Sequence, residues 1–229
     1  MRTLGLIGGM SWVSTAEYYR LINEITANRL GGLHSASVVL ESVDFAEIER
    51  LKLNGSWAEV GSRLAHAAVR LEAAGADAIV LCTNTMHYVA SMIEDATDVP
   101  FLHIADTAAQ SVARTELTRV GLLATAFTME EHFYRERFAA HGVEILTPCA
   151  ADRADISRII YEELCHNVIR PDSRRIYLDV VNRLTDDGCE GIILGCTEIE
   201  LLVTQADFDI PTFPTTRLHA EAAVDFALN

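Results

Sequence analysis

Long apolar runs, clusters of cations and paired cysteine spacings are all missing from this 229-residue sequence, and each absence removes a class of function. No apolar run approaches the roughly 20 residues that a membrane-spanning helix needs. Eighteen Lys and Arg stand against 33 Asp and Glu, for a formal charge of −15, and no basic cluster appears. Nucleic acid and anionic membrane surfaces are therefore excluded as partners, since both are held by grouped Lys and Arg. Five cysteines occur, an odd number, with no Cys-x-x-Cys pair and no Cys/His ligand spacing, so neither disulfides nor a structural metal is expected. The first strand begins at Thr3 with no charged leader before it, and the expectation is a soluble cytoplasmic protein. Gly5, Gly8 and Gly9 do not fit Gly-x-Gly-x-x-Gly, which argues against a dinucleotide site.

What is present is a globular composition, 50% hydrophobic and 22% charged, and a pattern that returns. Residues 78–82 (AIVLC) are followed by Thr83, Asn84 and Thr85, and residues 191–196 (GIILGC) by Thr197 and Glu198. Short runs of Val, Ile and Leu read as buried strands, so both cysteines lie at strand carboxyl ends. Open parallel sheets bind ligands there. Gly5 to Gly9 (GLIGG) is matched by residues 121–125 (GLLAT), and Pro100 by Pro211, in the same order and at nearly the same spacing. Two similar halves of a little over a hundred residues follow. The spacing predicts helices over 14–30 and 57–74, another after Thr85, and further ones over 105–117, 129–141, 152–166, 171–187 and 216–228. Strands are predicted at 3–7, 37–43, 78–81, 100–104, 119–124, 143–146 and 191–194, with residues 44–53 a polar connection. This is an α/β chain with mainly parallel sheets, in two pseudo-symmetric lobes enclosing a cleft. The first lobe is expected over 1–115, with the last helix (216–229) packing back on it, and the second over 116–215.

A lone cysteine after a strand is usually a small buried residue, and Cys149, Cys165 and Cys189 are read so. Cys82 and Cys196 differ because each precedes a polar cluster and a predicted helix start, where oriented N–H groups lower a thiol pKa. Two such thiols on opposing walls suit a proton taken from one face of a carbon and returned on the other. Thr83, Asn84, Thr85 and Thr197 supply neutral donors for a carboxylate, and Thr125 and Thr128 lie in an equivalent loop. Each threonine taken singly reads equally as a helix cap. Glu198 is placed to receive an ammonium group or to begin a helix, and His87 and His103 read as structural.

Four segments together, 5–11 (GLIGGMS), 81–87 (LCTNTMH), 121–128 (GLLATAFT) and 194–199 (LGCTEI), resemble the aspartate/glutamate racemase family, the cofactor-independent racemases that use two cysteines. The resemblance covers essentially the whole chain and is nearest the bacterial branch of relaxed specificity. It implies that Cys82 and Cys196 are the acid/base catalysts, that neither pyridoxal phosphate nor a metal is needed, and that the protein is a homodimer. It also implies substrate contacts from Met10, Thr83, Asn84, Thr85, Thr128, Thr197 and Glu198. Aspartate-selective relatives are expected to carry an arginine after the second strand and a lysine near Tyr161. Residues 160–166 hold no lysine, and the first region offers Arg50 and Lys52, of which Lys52 is the choice for a side-chain carboxylate. Aspartate, glutamate, homoserine or another polar amino acid is the expected substrate. A cis/trans isomerase of a small diacid and a non-catalytic small-acid binding protein are the alternatives.

Overall fold

Alternation along the first strand separates two apolar layers, because successive side chains of a strand point to opposite faces. In the computed structural model, which describes residues 1–229, this strand is β1 (Leu4–Gly8), followed by α1 (Trp12–Leu30), β2 (Val38–Ser42), α2 (Phe45–Leu53), α3 (Trp57–Ala73), β3 (Ala78–Leu81), α4 (Ala90–Glu94) and β4 (Phe101–Leu102). Leu4 and Leu6 pack with Tyr18, Leu21 and Ile22 of α1. Ile7 packs on the other side with Val60, Leu64, Ala67, Ala68 and Leu71 of α3. All pairings are parallel and the strand order is β2-β1-β3-β4. Covered on both faces, the strands read as continuous hydrophobic runs rather than alternating ones.

The second half repeats this plan. It comprises α5 (Ile104–Ala113), β5 (Arg119–Leu123), α6 (Ala126–Glu130), α7 (Phe133–Ala139), β6 (Glu144–Leu146), α8 (Ala150–Glu162), α9 (Pro171–Asp186), β7 (Gly191–Leu194) and β8 (Thr212–Pro214), ending in α10 (Thr215–Leu228). Its sheet is parallel in the order β6-β5-β7-β8, so β5, β6, β7 and β8 correspond to β1, β2, β3 and β4. The α/β reading with two parallel sheets is what the structure shows.

Two compact units result: Met1–His103 with His219–Asn229, and Ile104–Leu218. The boundary falls twelve residues before the one expected after residue 115. The reason is α5, whose Ala105, Ala108, Ala109 and Val112 join the core of the second unit beside Tyr134 and Phe138. Within α10, Ala220, Ala223, Val224 and Ala227 join the core layer of β1 and α1. No helix is long and apolar enough to cross a membrane.

Three local expectations need correction. Residues 44–53 are not a connection, because Asp44 caps α2 by accepting from the Ala46 N–H at 3.0 Å and Ile48 and Leu51 bury one face. The predicted helix over 129–141 is two helices, since Thr125 starts α6 early and Glu131 turns extended at ψ 159°. The segment around Cys165 is a 3-10 turn, Leu164–His166, and the helix expected after Thr85 opens as a 3-10 turn, Thr85–Val89, before it becomes α4. The strand after Pro211, β8, was not anticipated; its three residues are too few for a period to register.

Candidate active site

With strand orders β2-β1-β3-β4 and β6-β5-β7-β8, the winding direction reverses between the first and third strands of each unit, which is where open parallel sheets leave a crevice. In the first unit that point lies between the loop after β1 and Cys82. Gly9 turns the chain there with φ +96°, and a Cβ on it would meet the Val43 carbonyl oxygen at 2.2 Å. Only glycine accepts both conditions.

The loop is tied by side chains. Thr15 Oγ1 accepts from the Gly9 N–H at 2.7 Å and donates to the Ser11 carbonyl at 2.8 Å. Ser11 caps α1 by accepting from the Ser14 N–H at 3.3 Å. The Ser14 hydroxyl in turn donates to the Cys82 carbonyl at 3.1 Å. The first turn of α1 therefore holds the backbone of Cys82 directly, a link from Ser14 that the sequence reading missed. Met10, Thr83, Asn84 and Thr85 all lie buried in these two loops. Three imidazoles pack behind them: His87 lies 4.6 Å from His103 and 5.8 Å from His219 between ring centroids, and His87 Nδ1 donates to the Thr83 carbonyl at 2.7 Å. The structural reading of His87 fits this packing.

In the second unit the equivalent loops carry Thr125 with Thr128 and Cys196 with Thr197 and Glu198. Thr125 Oγ1 accepts from the Thr128 N–H at 3.3 Å, and the two hydroxyls are 3.0 Å apart, so Thr125 is a helix cap and Thr128 is wholly buried against it. Glu198 is buried and takes the Cys196 thiol at 3.2 Å and the Thr197 hydroxyl at 2.5 Å, both on Oε2. Its other oxygen, Oε1, takes the thiol of Cys165 at 3.9 Å. Cys165 was read as inert, and nothing in its helical surroundings signalled this contact.

Both thiols are held protonated. Burial pushes the Cys82 thiol well up. Cys196 is pushed up by burial, then by the charge of Glu198 and by Cys165. The expectation of thiols depressed by helix starts is corrected here: Cys82 is followed by the 3-10 turn Thr85–Val89 and Cys196 by another, Ile199–Leu201. Short 3-10 turns have little macrodipole to set against desolvation. All five cysteines are free thiols.

Lys52 lies on α2, apart from both loops in sequence. Its side chain is only 9% exposed and pairs with Glu49 at 2.7 Å, so it is a covered ion pair rather than a solvated surface charge.

Comparison with known proteins identifies the fold and the family. A Yersinia pestis protein, described as a candidate Asp/Glu racemase, shares 51% identity with TM-score 0.93 over 100% of both chains. An aspartate racemase homologue from Pyrococcus horikoshii shares 28% with TM-score 0.88, again over 100% of both. A glutamate racemase from Pseudomonas entomophila is 29% identical over 148 residues, 62% of this chain and 53% of that one. The pattern of the Asp/Glu/hydantoin racemases matches residues 7–223, and the chain belongs to that family.

Proposed function

We propose that this protein racemises aspartate, glutamate or a related polar amino acid without a cofactor, by two-base α-proton transfer between Cys82 and Cys196. The observation that carries the reading is positional: the two thiols follow corresponding strands, β3 and β7, each at the reversal point of its sheet and each followed by threonine.

The chemistry begins with one cysteine as thiolate and the other as thiol. The thiolate takes the α-proton, forming its S–H bond while the Cα–H bond breaks and the electron pair passes to the substrate carboxylate as an enediolate. The other thiol then gives its proton to the opposite face of Cα and is left as thiolate. Atoms and charge balance, and the roles are exchanged for the opposite enantiomer. Both transfers are general acid/base steps between groups of like acidity, and the pair titrates as a unit.

Neutral donors from Thr83, Asn84 and Thr85 stabilise the charge growing on the carboxylate, and Thr197, whose hydroxyl Glu198 accepts, turns to join them as the substrate ammonium takes its place on Glu198. Met10 and Thr128 complete the walls. Glu198 receives the substrate ammonium, whose positive charge offsets the repulsion that keeps Cys196 protonated. The side-chain carboxylate of an acidic substrate is assigned to Lys52, released from Glu49. The working form is taken as a homodimer in the cytoplasm, where free thiols persist; light scattering at assay concentration checks the mass.

The test is proton NMR of the Cα–H signal in D2O, without added cofactor, for both enantiomers of aspartate, glutamate, homoserine and neutral amino acids. Exchange with appearance of the opposite enantiomer supports the proposal and names the substrate. No exchange with any of them would sink it and favour a diacid isomerase or a binding protein.

A further inference from the structure

The Glu198 carboxylate is buried, and donors reach it from two distant parts of the second unit. Cys196 and Thr197 are its neighbours in sequence and share Oε2, at 3.2 and 2.5 Å. Cys165 comes from the 3-10 turn Leu164–His166 that follows α8 and meets Oε1 at 3.9 Å. The torsion at the end of a glutamate side chain is broad, so two donors on one oxygen leave the carboxylate plane poorly set. A donor on the second oxygen sets it.

We propose that Cys165 is a positioning residue, its thiol holding Oε1 of Glu198 so that Oε2 stays aimed at the sulfur of Cys196. The inference rests on the reading of Cys196 as an acid/base in racemisation. A thiol suits the task because, as a weak neutral donor on a partly buried side chain, it leaves the carboxylate its charge. That charge keeps Cys196 as S–H, ready to donate, until a substrate ammonium arrives. The turn itself is fixed by Glu163, which accepts from the Ser173 hydroxyl at 2.6 Å and so holds the end of α8 against α9. Cys165 is therefore presented by a braced segment and not by a free loop end.

The test uses full-length Cys165→Ala and Cys165→Ser. The first readout needs no substrate: the infrared S–H stretching band of Cys196, assigned by its loss in Cys196→Ser. In Cys165→Ala this band should move to higher frequency and broaden, as the hydrogen bond to Glu198 loses its geometry, while Cys165→Ser keeps it near the wild-type position. The second readout is racemisation, where the alanine variant should lose about 5-fold in kcat with KM little changed, the scale of one weak hydrogen bond, and serine should recover most of it. If alanine does not fold, Cys165→Val fills the space without a donor and carries the same expectation. An unmoved band, or serine no better than alanine, overturns the positioning. A moved band with wild-type kcat overturns its use in the reaction. If wild-type protein racemises nothing, the two-base reading fails while the band still decides whether Cys165 positions Glu198.

Discussion

At Cys82 and Cys196 burial dominates the electrostatics: both thiols are pushed up, Cys82 by desolvation and Cys196 by desolvation together with Glu198. The reaction needs one of the pair as thiolate, and the free enzyme holds both as thiols at neutral pH. kcat/KM should therefore rise with pH through the range in which a free thiol titrates, about 8.5, and keep rising above it. A profile falling across that range would contradict the assignment. Cys82→Ala and Cys196→Ala should each lower racemisation by about 1,000-fold or more, measured by circular dichroism of the amino acid. Near-wild-type turnover in either variant would remove that cysteine from the mechanism. These two residues were legible in the sequence because a strand of consecutive apolar residues must end where polar ones begin. Cys165 was not, since its contact with Glu198 joins positions 33 apart and the intervening chain gives no local sign of it.

Elements show the same division between local and distant causes. α2 had its signals in place, the Asp44 cap and the burial of Ile48 and Leu51, but its charged residues resembled a connection. Replacing the cap, Asp44→Ala, should cost about 1 kcal/mol in urea unfolding. The loop after β1 is set by a harder constraint. At Gly9 a methyl group would meet both a positive φ and the Val43 carbonyl at 2.2 Å. Gly9→Ala should destabilise the protein by roughly 3 kcal/mol, with the loss seen as a lower urea midpoint. A change under about 0.5 kcal/mol would mean that the loop relaxes freely. Helix α5 illustrates what periodicity leaves open. Its apolar face was readable, but which sheet that face covers depends on packing with Tyr134 and Phe138.

On the scale of the whole molecule, acid sensitivity follows from a histidine far along the chain. His219, on α10, is wholly buried; its Nε2–H donates to the Leu102 carbonyl at 2.6 Å and its Nδ1 accepts from the Tyr18 hydroxyl at 2.8 Å. Burial lowers its pKa from 6.5 to about 4. The unfolded chain then binds a proton that the folded one refuses, so stability is full above pH 6.5 and falls as the pH drops towards 4. The loss reaches about 3 kcal/mol, and His219→Gln should show a flatter decline in urea unfolding over the same window. An equally steep decline in that variant would place the acid sensitivity elsewhere.

The amino-acid order alone determined the α/β class, the repeated halves, the strand ends that carry Cys82 and Cys196, and the family resemblance, because each rests on residues close together in the chain. Only tertiary structure decided that α5 joins the second core, that Ser14 holds the Cys82 backbone, that both thiols are kept protonated, and that Cys165 meets Glu198. The physical reason is the same throughout. Periodicity and capping are local properties of the chain, whereas desolvation and the partner of a buried polar group depend on which distant segments pack around it.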